Sequence, residues 1–179
     1  MKKQLIDRSL VQDSIYQNTY NALKGLIDNS LLTQLTYDNH CCDDLSYHKE
    51  FCTVKMCGPR RSGRTTAMCN LAYEYFDKVI FLSPNYDMTE RLSINFTNIL
   101  KGERYAAVTR HTKFEIETTT GYYIFGSQNS IDILKVKESG FEAVFMDETF
   151  NMTKSKENDI YNAFGPSMKN SPQKLFVFI

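Results

Sequence analysis

Two short stretches hold the residues that could do chemistry: CGPRRSGRTT at 57–66 and AVFMDE at 143–148. In the first, Gly58, Pro59, Arg60, Arg61, Ser62, Gly63, Arg64 and Thr65 follow the phosphate-loop spacing G-x-x-x-x-G-K-[ST], except that Arg64 stands in the lysine position. Glycines at both ends let backbone N–H groups turn inward around phosphate oxygens, and a helix starting at Arg64 would point its positive end at them. Thr65 would offer a hydroxyl to Mg²⁺, and Thr66 completes the loop set. In the second stretch, an apolar run ends in Asp147, suited to hold Mg²⁺ through water, and Glu148, suited to orient and deprotonate an attacking water. Any buried strand can end in acids at the surface. Both stretches, in this order and each on a predicted strand, point to a nucleotide hydrolase that uses Mg²⁺.

Such chemistry needs a strand before the loop, a helix after it and a second strand carrying the acids. FCTVKMC (51–57) reads as the first strand, and RTTAMCNLAYEYF as the helix, with apolar positions near 67, 71 and 75. KVIFLSP (78–84) is a further apolar strand, and Met88, Leu92, Phe96 and Ile99 form one helical stripe. KFEIETTTGYYIFGS reads as two strands turning near Thr120 and Gly121, and FEAVFMD (141–147) as a buried strand. ENDIYNAFGPSM is a short helix stopped by Gly165 and Pro166, and KLFVFI is a last strand. Ahead of all these, Leu5, Ile6, Ile15, Tyr16, Tyr20, Leu23, Leu26 and Ile27 recur near the helical period and predict one or two amphipathic helices. TYDNHCCDDLSYHKE then reads as loop.

The alternation predicts an α/β fold of the P-loop NTPase kind (ASCE/RecA-like), a mostly parallel sheet with helices on both faces. Residues 1–50 are expected to be a helical segment and loop of the same domain, and 51–179 the ATPase core. Because the core stops on a strand, it is expected to be truncated at its C-terminal end. A chain of 179 residues, 42% hydrophobic and 23% charged, suits one domain with a real core. Basic and acidic residues balance at 21 each, so no global positive field advertises a nucleic-acid partner. No apolar run is long enough for a membrane span, and MKKQLIDRSLVQDS lacks the apolar middle of a secretory signal. The expectation is a soluble intracellular protein. Cys41, Cys42, Cys52, Cys57 and Cys69 contain no C-x-x-C pair, so free thiols are expected rather than a zinc site with His40 and His48.

GPRRSGRTT resembles the P-R-R-x-G-K-T loop of the herpesvirus and tailed-phage terminase large subunits, ATPases that pump viral DNA into capsids. In the same order, VIFLSPN resembles the family's strand after the first helix, TTTGYYIFGSQNS its strand pair, FEAVFMDETFNM its acidic block, and SPQKLFVFI the strand before its coupling motif. The resemblance covers residues 51–179 in several short blocks. It implies that Arg64 and Thr65 contact phosphates and Mg²⁺, that Asp147 is the Mg²⁺ acid and Glu148 the catalytic base, and that Arg60 senses the γ-phosphate. It further implies double-stranded DNA as partner, a ring homo-oligomer on a viral portal or prohead, a small terminase subunit as a second partner, and a place in the host cytoplasm or nucleus.

Three departures stand out. Arg64 keeps the charge of the loop lysine on a bulkier planar fork. Where the family has an Arg-Gly pair supplying an arginine finger, this chain has Lys137 in KVKESG, a weaker, non-bidentate substitute or simply a solvated lysine. The coupling motif and nuclease domain are absent from the 179 residues, so no DNA cutting is expected. For the base, Gln34 with Tyr37 is the first candidate, and Gln12 or Gln17 the alternatives. Two other readings share the motifs: the first motor domain of a DNA or RNA helicase, and a nucleotide-binding structural or regulatory module that no longer hydrolyses.

Overall fold

The computed structural model describes residues 8–36, 43–59, 62–102, 108–112, 114–127, 140–147, 149, 152–168 and 174–179. Along these run α1 (Arg8–Thr36), α2 (Asp44–Phe51), β1 (Thr53–Lys55), α3 (Arg64–Tyr75), β2 (Lys78–Ser83) and α4 (Tyr86–Gly102). There follow β3 (Val108–His111), β4 (Glu115–Thr118), β5 (Tyr122–Ser127), β6 (Ala143–Met146), α5 (Lys154–Phe164), a 3₁₀ turn (Gly165–Met168) and β7 (Leu175–Phe178).

One seven-stranded sheet takes the order β1-β7-β6-β2-β5-β4-β3. The pairs from β1 through β5 are parallel, and β5-β4 and β4-β3 are antiparallel. The sequence accounts for this division. β6 and β7 are buried at every position, as parallel strands covered on both faces must be, whereas β4 alternates between buried and less buried residues.

Side chains alternate across β2. Val79 and Phe81 face one core with Phe125, Phe145 and Val177, while Ile80 and Leu82 face the other with Val144, Met146 and Phe176. The first core is closed by α1, α3 and α4. Leu23, Ile27 and Leu31 repeat every fourth residue on α1, as Leu92, Phe96 and Leu100 do on α4, so each helix buries a single stripe. Phe81 stacks on Phe125 with ring centroids 4.9 Å apart. The second core is closed by α2 and α5 through Tyr47, Ile160, Tyr161 and Phe164.

The segment read as loop before residue 51 contains α2, a correction. Its N-cap is Asp43, whose carboxylate accepts from the Ser46 amide at 3.0 Å and the Ser46 hydroxyl at 2.7 Å. The polar composition hid a two-turn helix held by its cap and by the buried Tyr47 and His48. The predicted 51–57 strand shortens to Thr53–Lys55, because Phe51 belongs to α2 and Cys57 already leads into the loop. The opening helices are one element of 29 residues, α1. β3 was not foreseen from the sequence.

Candidate functional site

The topology prepares a crevice before any side chain is considered. From β1 the chain leaves through α3 on the first face and passes β7 and β6 to reach β2. From β6 it leaves through α5 on the second face and turns back to β7. Two neighbouring loops thus depart to opposite faces from the carboxyl ends of parallel strands, the switch point at which open α/β sheets bind ligands. Only β7 lies between β1 and β6, so those two ends are about 10 Å apart.

Across that gap the Thr65 hydroxyl donates to Asp147 Oδ2 at 2.9 Å. One residue comes from the first turn of α3 and the other from the residue after β6. The Asp147 amide donates to the Leu82 carbonyl at 3.0 Å, which fixes the backbone of that acid against β2. Cys69, one turn further along α3 from Thr65, is fully buried; its thiol is held protonated, its pKa raised first by burial and then by the charge of Asp147.

Gly63 is the N-cap of α3, with φ of +77° and no side-chain cap bond. In this it differs from α2, capped by Asp43, and α5, capped by Thr153. The first N–H groups of α3 are therefore not satisfied by a capping side chain, as an anion-receiving helix end requires. Next to them Ser62 is 6% exposed, and its Oγ is buried without any hydrogen-bond partner. Among the described residues it is the one such orphaned side-chain atom. Arg64 folds back across Gly58: a Cβ added to Gly58 would lie 3.4 Å from Arg64 Cδ. Gly58 and Pro59 are exposed, and Thr66 is exposed on the first turn.

The sequence missed Tyr16. A Cβ on Gly63 would come within 2.9 Å of the Tyr16 ring, and Asn70 of α3 donates from Nδ2 to the Tyr16 hydroxyl at 2.6 Å. Below this contact Tyr20 and Lys24 both bond to Glu74. Burial and the Glu74 bond push the Tyr20 phenol up to about 12. Burial draws the Glu74 carboxyl upward, but the bonds from Lys24 and Tyr20 outweigh it and hold the group low. Tyr16, Gln17, Tyr20, Asn70, Tyr73 and Glu74 line a cleft of about 370 Å³ between α1 and α3. Tyr16 was legible only as one apolar position of a helix.

Gln34, the first candidate for the base, bonds to the backbone at the start of β7. Its Nε2 donates to the Lys174 carbonyl at 2.7 Å and its Oε1 accepts from the Lys174 amide at 3.1 Å. Both ends of the amide clip α1 to the start of β7. Eighteen residues of helix separate it from Tyr16 at the loop, about 27 Å along the axis. Gln17 lies beside Tyr16, while Gln12 is exposed. Arg60, Arg61, Glu148, Lys137 and Tyr37 lie outside the described residues, as do His40, Cys41 and Cys42. Cys52, Cys57 and Cys69 are not in disulfides.

For Mg²⁺, the described residues bring one hydroxyl and one carboxylate together here. Among the described residues no three His, Cys, Asp or Glu gather into a metal cage. That set fits an ion held by few protein ligands and completed by phosphate and water, the usual manner of Mg²⁺. No described helix is long and apolar enough to cross a membrane. No protein-family model matches the chain, and none of the curated proteins compared with it is similar to it. Fold and site together define an α/β domain with a mostly parallel sheet and a hydroxyl–carboxylate pair at its switch point.

Proposed function

We propose that the chain is a P-loop ATPase domain hydrolysing ATP with Mg²⁺, of the kind that drives double-stranded DNA into a viral capsid. The observation that carries the hydrolase reading is the Thr65–Asp147 hydrogen bond, which unites the two stretches of sequence at the switch point. The start of α3 without a capping side chain and the unpartnered Ser62 Oγ support this reading, since both lie where the β- and γ-phosphates would be. The packaging role rests on the terminase resemblance of GPRRSGRTT and the blocks that follow it.

On this reading the α3 amides, the Ser62 hydroxyl and Arg64 grip the phosphates, with the guanidinium offsetting their charge. Thr65 and Asp147 would hold Mg²⁺, which supplies charge neutralisation at the phosphate oxygens. Glu148 accepts a proton from the attacking water. Asp147→Asn removes the acid while preserving shape, and phosphate release from MgATP should fall by about 100-fold or more. An Asp147→Asn protein that turns over at the parent rate would remove the acid from the mechanism. A parent chain that binds ATP without turnover, and stays inactive as Arg64→Lys, would favour the non-hydrolysing module.

A further inference from the structure

The contact between α1 and the loop is more specific than helix packing requires. Gly63 occupies the left-handed region at φ +77°, the hinge on which the loop turns into α3. The space a side chain would take there is filled by Tyr16, whose Cδ2 and Cβ lie 2.9 and 3.5 Å from the ideal Cβ position. The same tyrosine accepts from Asn70 Nδ2 at 2.6 Å, two turns along α3. One side chain therefore touches the hinge and is itself anchored to the helix behind the hinge. Tyr20 and Lys24 fasten the next turns of α1 to Glu74, away from the hinge.

We infer that Tyr16 is a positioning residue for phosphate binding: its ring holds Gly63 in the conformation that directs the first amides of α3 into the crevice. The inference rests on the phosphate-loop reading above and adds a residue from a helix far from the loop in sequence. The ring acts by shape on the hinge, and its hydroxyl acts by anchoring the ring to Asn70. A loop held this way is preorganised for its ligand, and small displacements of such groups cost binding and rate steeply.

The test titrates a fluorescent ADP (mant-ADP) and inorganic pyrophosphate into the parent, Tyr16→Ala, Tyr16→Phe and Tyr20→Phe, with thermal midpoints measured beside them. Tyr16→Ala should weaken both ligands by about ten-fold. Tyr16→Phe, which keeps the ring and loses only the Asn70 bond, should recover most of that loss. Tyr20→Phe removes an equivalent α1–α3 bond away from the hinge and should bind within about two-fold of the parent. If Tyr16→Ala does not fold, Tyr16→Leu replaces it with the same expected order. Parent-like binding by Tyr16→Ala or Tyr16→Leu with a lowered midpoint would overturn the inference and leave Tyr16 a structural brace. Equal weakening by Tyr20→Phe would overturn it too, because docking of α1 in general would then be the cause. A parent that binds neither ligand would instead overturn the phosphate-loop reading on which it stands.

Discussion

The two ends of the parallel strands are built to opposite rules. At the amino ends, polar groups are closed off by one another. Gln34 satisfies both the amide and the carbonyl of Lys174, the Thr53 hydroxyl donates to the His48 carbonyl at 2.6 Å, and the His48 ring packs against Gly165. At the carboxyl ends, α3 starts on a glycine without a capping side chain, Ser62 Oγ is buried without a partner, and one hydrogen bond joins Thr65 to Asp147. Unsatisfied buried donors cost stability. On the reading proposed above, a ligand would satisfy the Ser62 hydroxyl that the described residues leave without a partner.

The largest break in this comparison comes from exchanging what is lost at each end. Gln34→Ala should cost about 1–3 kcal/mol of stability, because it leaves the Lys174 backbone groups without their partner, and should leave nucleotide affinity unchanged. Ser62→Ala should behave in reverse: stability should stay within about 1 kcal/mol of the parent, since no bond is lost, while affinity for nucleotide falls by about ten-fold. Urea unfolding and mant-ATP titration of both variants decide it. Ser62→Ala with lowered stability and unchanged affinity would mean that Ser62 belongs to the packing of the loop and has no ligand role.

A smaller effect sharpens the picture of the closed end. Burial lowers the His48 pKa below the ordinary 6.5, the charge of Lys174 lowers it further, and Asp44 opposes both. The folded state therefore disfavours the charged ring. Its contribution is complete above the unfolded value near 6.5 and is lost as pH falls from there toward the lower folded value. Thermal midpoints between pH 7.5 and 5.5 should fall more steeply for the parent than for His48→Gln. Parallel slopes would show that His48 does not titrate against folding.

Most of the core was legible because its signals are local. Apolar, β-branched and aromatic runs such as VIFL and AVFM suit strands covered on both faces, and the GPRRSGRTT loop announces the turn from strand to helix. The missed features depend on distant partners. α2 is polar in sequence and owes its stability to Asp43 and to packing on α5, while β3 is a short edge strand paired with β4. Thr65 and Asp147 meet because each sits at the end of an element, where the topology brings them together. An amide that reads a base and one that clips a backbone, as that of Gln34 does, look alike in sequence. Tyr16 was overlooked for the same reason: its spacing states only that it faces inward, and only the crossing of α1 over α3 places it on Gly63.

The central claim, that the open end of the sheet receives a nucleoside triphosphate through its phosphates, is tested most directly by titrating mant-ATP into the parent chain with and without Mg²⁺, using inorganic pyrophosphate and adenosine as competitors. Saturable binding, tightened by Mg²⁺ and displaced by pyrophosphate but not by equal adenosine, is the predicted result. Binding displaced by adenosine alone, or no binding at all, would contradict it.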